Sequence, residues 1–302
     1  MVSMLYKTNI FCIIGSEKNP DYKQNQVLIY DDLLDKILYK ITLNEKALNI
    51  KLTKDKVFIV TINKIFVLNS RDEYSILFAI DTYNNPKGLI AINYSEENAI
   101  MVYPSSEKDQ TKGELTIKYL DKDIKDFKYL SPHVHKIAHI ALSYNGLFLV
   151  TASEEGKTIR IYETENLEKL EDLTKEKSDI KYISIDSNNQ FLAASNESGV
   201  IYIWSLYKSF EKLKQLGKGD NNVNENKILN TGSILANIPI LGGKWFDKNY
   251  CFAQVKLDQP NSIFHFGSDN TLIIVTSSGK YYKAKIDLKK GGDCQIIEEH
   301  SL

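Results

Sequence analysis

Ile140-Ala-Leu-Ser-Tyr-Asn-Gly-Leu-Phe-Leu-Val-Thr-Ala-Ser-Glu-Glu-Gly156 is followed by Ile183-Ser-Ile-Asp-Ser-Asn-Asn-Gln-Phe-Leu-Ala-Ala-Ser-Asn-Glu-Ser-Gly199. Both stretches run strand, polar turn, strand with small residues, acidic turn, glycine. A third copy is Phe266-Gly-Ser-Asp-Asn-Thr-Leu-Ile-Ile-Val-Thr-Ser-Ser-Gly279. Ala152, Ala194 and Ser277 are expected where an inner strand approaches a central channel, and the closing glycine allows a tight reversal into the next strand.

Other β-branched and aromatic runs extend the repeat along the chain: Val27-Leu-Ile-Tyr30, Ile65-Phe-Val-Leu68, Leu115-Thr-Ile-Lys-Tyr119, Ile159-Arg-Ile-Tyr162, Ile201-Tyr-Ile-Trp204 and Tyr281-Tyr-Lys-Ala284. Most successive starts lie near the ~40–45-residue period of a four-stranded propeller blade. The reading is all-β, a WD40-like β-propeller with about six blades, in one domain over residues 1–302. The last interval is nearly twice the period, so an insert is expected over 207–242. Its first part, Lys208 to Lys227, is polar and low in complexity and is expected to be mobile. Its second part carries Ile228, Leu229, Ile234, Leu235, Ile238, Ile240 and Leu241. Such an apolar stretch either lies against the propeller or enters a membrane interface.

Composition excludes several classes. With 38 basic against 39 acidic residues the net charge is -1, so no global field favours nucleic acid or an anionic membrane, and any anion site must be local. Arg71 and Arg160 are the two arginines; nearly all positive charge is lysine, which meets phosphate as a point charge rather than as a two-pronged donor. Cys12, Cys251 and Cys294 are far apart and read as free thiols. The start lacks the basic-then-apolar plan of a signal peptide, and no apolar run approaches ~18 residues, so a cytosolic protein is expected. His133, His135 and His139 lack an accompanying cysteine or carboxylate cluster, which argues against a metal site. There is no phosphate loop, nucleophile elbow or acid/base pair, so no enzyme and no cofactor is expected. Asp31-Asp32 reads as turn capping, and the acidic run from Glu163 to Glu176 as a solvated blade edge.

Several stretches together resemble the PROPPIN family, WD40-type propellers that bind phosphoinositides in autophagy, and especially the branch of the fourth WIPI paralogue. They are Val27-Leu-Ile-Tyr-Asp-Asp32, Phe78-Ala-Ile-Asp-Thr-Tyr-Asn-Asn-Pro-Lys-Gly88, Val150-Thr-Ala-Ser-Glu-Glu-Gly-Lys-Thr-Ile-Arg-Ile-Tyr162, Gly243-Lys-Trp-Phe246 and Ser278-Gly-Lys-Tyr-Tyr-Lys283. The resemblance implies seven blades, a membrane-touching loop in the sixth, peripheral attachment to endomembranes or preautophagosomal structures, and a rod-like autophagy lipid-transfer protein as a partner near Asn84-Asn-Pro-Lys-Gly88. The chain begins at what resembles the family's second blade. A shortened gene model is the first expectation here, with a true six-bladed ring or a compensating partner strand as alternatives.

The resemblance also implies phosphoinositide-binding positions at His133, Ser153, Lys157, Arg160, Thr174 and Lys175. The family's Phe/Leu-Arg-Arg-Gly motif falls on Leu173-Thr-Lys-Glu176, so Thr174 and Lys175 replace both arginines and Glu176 adds a carboxylate. Val200 stands where the second pocket has a hydroxyl. Charge-assisted bonds worth about 1.5–3 kcal/mol each are lost, enough to weaken each pocket by about tenfold or more. Two readings follow: an autophagy adaptor with weakened recognition of phosphatidylinositol 3-phosphate or 3,5-bisphosphate, or a protein-interaction scaffold that has lost it. Lys157, Lys177 and Lys181 are candidate compensating charges. Ser153 and Arg160 also have a simpler reading, as hydrogen-bonding residues internal to a blade.

Overall fold

Alternation of apolar and polar residues with period two, broken by polar turns, builds six antiparallel sheets in chain order. They are seen in a computed structural model that describes residues 1–5, 8–16, 21–93, 99–105, 113–120, 127–154, 158–174, 179–216, 251–259 and 261–301. The first sheet holds β1 (Val2–Met4), β2 (Ile10–Ile14), β3 (Gln26–Asp31) and β4 (Lys36–Thr42); the second holds β5 (Asn49–Leu52), β6 (Lys56–Val60), β7 (Lys64–Asn69) and β8 (Ser75–Asp81). The third contains β9 (Ala91–Ile92), β10 (Ile100–Pro104), β11 (Gly113–Tyr119) and β12 (Phe127–His133). The fourth contains β13 (Ile137–Leu142), β14 (Phe148–Ser153), β15 (Thr158–Glu163) and β16 (Lys169–Thr174). The fifth joins β17 (Ile180–Ile185), β18 (Phe191–Asn196), β19 (Val200–Ser205) and β20 (Ala253–Lys256). After α1 (Tyr207–Gln215), the sixth sheet joins β21 (Ser262–Phe266), β22 (Thr271–Thr276), β23 (Lys280–Lys285) and β25 (Gln295–Ser301). The short β24 (Gly292–Asp293) pairs parallel to β20 and ties this last sheet to the one before it.

This is the six-bladed β-propeller expected from the repeats. The first strands of neighbouring sheets touch, β9 against β13, β13 against β17 and β17 against β21, so they lie nearest the centre. Ala152 and Ala194 sit one strand further out than expected, on β14 and β18, and both are fully buried. Their small size serves close packing between sheets rather than the channel wall. Ser277 lies in the turn after β22, outside any strand. Of the reversal glycines, Gly199 and Gly279 behave as expected, with φ of +84° and +79°, and a side chain at Gly199 would meet the carbonyl oxygens of Leu257 and Gln259 at 2.6 and 2.7 Å, whereas Gly156 lies outside the described residues.

Five buried apolar clusters seal the five successive junctions, for example Cys12, Val27 and Ile29 against Ile50 and Val57. Between the fourth and fifth sheets Phe148, Val150 and Ile161 pack against Ile183, Ala194 and Trp204. Among the described residues no such cluster joins the sixth sheet to the first. Register puts Val2, Met4, Phe11, Ile13, Leu28 and Tyr30 on the face of the first sheet away from the second. Val2 and Met4 are 58% and 47% exposed. The outward face of the sixth sheet carries Ile263, Val275 and Tyr281, with Ile263 60% exposed.

Residues 207–215 correct the expectation of a mobile polar start to the insert. Phe210 and Leu213, three apart on one helix face, are buried in the junction of the fourth and fifth sheets, and the Phe148 and Phe210 rings meet edge-on at 5.2 Å. Burying each side chain contributes about 1.5–3 kcal/mol. Ser209 donates to Glu171 Oε2 at 2.8 Å and Lys212 to the Lys169 carbonyl at 2.5 Å, fastening α1 to β16. The apolar half of the insert, Ile228 to Leu241, and the Gly243-Lys-Trp-Phe246 stretch lie outside the described residues.

Candidate functional site

Strand alternation divides the fourth sheet into two unlike faces. Phe148, Val150, Ala152, Ile159, Ile161 and Leu173 point toward the fifth sheet. The intervening residues share the other face: the register pairs Thr151 with Arg160, Arg160 with Asp172, and Thr158 with Thr174, while Ser153 follows Thr151 by two. Leu149 and Tyr162, at one end of that face, pack with Leu115 and Ile117 of the third sheet. Ile137, Ile140 and Leu142 of β13 join them, and the polar residues Thr151, Ser153, Thr158, Arg160, Asp172 and Thr174 occupy the other positions of this face on β14, β15 and β16.

His133, the last residue of β12, enters this junction from the third sheet. Its Nε2 lies 2.9 Å from Thr151 Oγ1 in a buried hydrogen bond. Burial, reinforced by the Arg160 charge, pushes the His133 pKa down to about 4, so the imidazole is neutral at physiological pH. Arg160 donates through Nη1 to the Pro132 carbonyl, and the Tyr162 hydroxyl lies 3.5 Å from that same oxygen. Arg160 Nε lies 3.6 Å from Asp172 Oδ1, and Lys169 Nζ reaches Asp172 Oδ2 at 2.9 Å. Asp172 thus draws on the charge of two cations.

The structure therefore gathers His133, Arg160, Ser153 and Thr174 along one inter-sheet face, with Ser153 buried and Thr174 partly exposed at its end. Lys157 and Lys175 lie outside the described residues, as does Lys177. Lys181 is paired with Glu197, and Asp179 lies 4.0 Å from it, so its charge is already answered. Val200 starts β19, on the far side of the fifth sheet's second strand. Sequence reading missed Thr151, Pro132, Tyr162 and Asp172. Thr151 was accessible through its place two residues before Ser153 in the Val-Thr-Ala-Ser run, whereas Asp172 was hidden in an acidic stretch read as solvated. Part of that stretch is interior: Glu163 is buried and accepts the Asn166 backbone N–H at 2.9 Å, and Glu171 receives Ser209. Asp31 does cap its turn, accepting the Leu33 and Leu34 N–H groups at 3.0 and 3.1 Å.

Six sheets arranged around a centre, five of four strands and one of five, with a histidine, hydroxyls and an arginine collected at one inter-sheet junction, define a WD40-like β-propeller with a polar recess. The family model described as PROPPIN matches residues 2–302, and the chain belongs to that family. It is 28% identical over 170 residues to SVP1-like protein 2 of Schizosaccharomyces pombe, covering 56% of this chain and 45% of that protein. Autophagy-related protein 18e of Arabidopsis thaliana is 26% identical over 306 residues, covering 99% and 75%. The chain thus spans less than half the length of the first of these relatives. Among solved structures, the complex of KlAtg21 with the coiled-coil of AgAtg16 matches with a TM-score of 0.75 and 19% identity over 100% of this chain and 84% of that one. Kluyveromyces lactis Hsv2 with complete loop 6CD gives 0.73 and 15%, covering 100% and 86%. No described helix is long and apolar enough to cross a membrane.

Proposed function

We propose that this chain is an autophagy adaptor that associates peripherally with endomembranes from the cytoplasm and reads phosphatidylinositol 3-phosphate or 3,5-bisphosphate weakly. Membership of the PROPPIN family and relatives named as autophagy-related support the adaptor role. The observation that carries the weakness is the engagement of Arg160 by Asp172 and the Pro132 carbonyl. A phosphate entering there must compete with a resident carboxylate, while neutral His133 adds a hydrogen bond but no charge. Thr174 offers a hydroxyl where an arginine pair would have gripped two oxygens. Protein partners fit the same role: the Atg21 neighbour is seen in complex with the coiled-coil of Atg16, and a rod-like lipid-transfer protein is the candidate for the Asn84–Gly88 edge.

The alternative, a scaffold without lipid recognition, draws on that same pairing of Arg160. Flotation with liposomes containing or lacking phosphatidylinositol 3-phosphate separates the two. We expect a modest enrichment with the lipid, a several-fold gain for Asp172→Asn, and a loss for His133→Ala. Equal recovery on both liposomes, unchanged by Asp172→Asn, would establish the scaffold.

A further inference from the structure

The outer strand of the fourth sheet is irregular beside the recess. Its register with β15 runs Arg160 against Asp172 and Ile161 against Glu171, then jumps to Tyr162 against Lys169, so Leu170 is the extra residue of a β-bulge. On a regular strand, residues three apart point to opposite faces. The bulge instead brings Lys169 to the same face as Asp172, while Leu170 and Leu173 both pack on the fifth-sheet side.

The two oxygens of Asp172 are used unequally. Lys169 Nζ donates to Oδ2 at 2.9 Å, a hydrogen-bonded ion pair. Arg160 Nε faces Oδ1 at 3.6 Å, too long for a hydrogen bond. Among the described residues, Arg160 Nε and Asp172 Oδ1 are each shut off from solvent without a hydrogen-bond partner. A donor and an acceptor left in that state close on one another unless something holds them apart, because an unmade buried hydrogen bond is costly. The group that holds the carboxylate is Lys169. The bulge that aims Lys169 is itself fastened by α1: Lys212 donates to the Lys169 carbonyl at 2.5 Å, Ser209 donates to Glu171 Oε2 at 2.8 Å, and Phe210 and Leu213 share a buried cluster with Leu170.

We propose that Lys169 is a positioning residue for the recess: by gripping Asp172 Oδ2 it keeps the carboxylate from closing on Arg160, and α1 clamps Lys169 in the place where it can do so. Arg160 is thereby held less tightly against an incoming phosphate group than the presence of Asp172 alone would dictate. Lys169 acts through Asp172 rather than on the ligand, and this consequence rests on the recess being the site of lipid recognition.

Flotation on liposomes with and without phosphatidylinositol 3-phosphate tests it. Lys169→Met should cut the lipid-dependent recovery by about two- to fivefold, the range that a part-exposed ion pair commands, and Lys169→Arg should restore it. Lys212→Met should act in the same direction with a smaller loss. When Lys169→Met is combined with Asp172→Asn, recovery should match that of Asp172→Asn alone, because no carboxylate remains to be held. An equal loss from Lys169→Met in both backgrounds would make Lys169 a contact or a long-range charge and overturn the proposal. Heteronuclear NMR of the Arg160 side chain in the lipid-free protein judges the positioning separately. Lys169→Met should move the Nε–H proton downfield as Asp172 closes on it, and an unmoved signal overturns the proposal. If the signal moves but Asp172→Asn gives no lipid-dependent recovery, the positioning stands and the lipid reading of the recess falls.

Discussion

The two faces of the fourth sheet are made by the same four strands, yet one is a dry core and the other combines an apolar cluster with a polar recess. Phe148, Val150 and Ala152 alternate with Leu149, Thr151 and Ser153, so a shift of one residue would exchange the faces. On the fifth-sheet side, packing energy dominates and α1 adds Phe210 and Leu213 to it. On the third-sheet side an apolar cluster is joined by polar contacts: His133 bonds to Thr151 in the buried part, while Arg160 bonds to the Pro132 carbonyl and forms an ion pair with Asp172 in the part-exposed part. The difference teaches that Arg160 and His133 serve the fold, and that they do so across the junction between two sheets: Arg160 pairs with Asp172 inside its own sheet but gives its hydrogen bond to Pro132 of the third.

The comparison is most strongly tested on the dry face. Phe148→Ala should lower stability by about 3–5 kcal/mol, read from the urea midpoint, because the ring is fully buried between two sheets and against Phe210. A loss below about 1 kcal/mol would mean that the junction collapses to fill the gap. On the polar face, Arg160→Met should cost less, about 1–3 kcal/mol, since it strips the Pro132 carbonyl of its donor and Asp172 of an ion-pair partner without opening a large cavity. A larger loss than Phe148→Ala would invert the ranking of the two faces.

Acid should then weaken the polar face selectively. The His133 pKa lies at about 4, below the ordinary 6.5, so the unfolded chain takes its proton first. Its contribution is complete above about pH 6.5, falls as pH drops toward 4, and levels off below that. The His139 pKa, pushed down by burial to about 3, adds a loss of the same sign, whereas Glu171, raised by burial, acts in the opposite direction. His133→Gln should flatten the slope of stability against pH between 6.5 and 4, and an unchanged slope would remove His133 from that account. The smallest effect belongs to the outward face of the sixth sheet. Ile263→Ser should change stability by under about 0.5 kcal/mol because the side chain is mostly exposed. A large loss there would reveal that this face is covered in solution.

Much of the fold was legible because the signals are local. Period-two runs, Asn- and Asp-rich turns and closing glycines each involve a few neighbouring residues, and they located strands in all six sheets. The helix at 207–215 was missed because its polar residues outnumber the two that anchor it, and only the neighbouring sheet gives Phe210 and Leu213 somewhere to go. The resemblance pointed to His133, Ser153, Arg160 and Thr174, and the structure brings them to one junction, but their partners were not legible. Asp172 looked solvated from its neighbours in sequence, and its role depends on standing across from Arg160 on the adjacent strand.

The sequence by itself determined that the chain is a propeller of repeated four-stranded units, since residue identity and spacing are properties of the chain. Only the tertiary structure decided that Arg160 is already engaged and that His133 is neutral. Those outcomes depend on distances between strands far apart in sequence and on how much water each group loses, and neither is encoded in any local window.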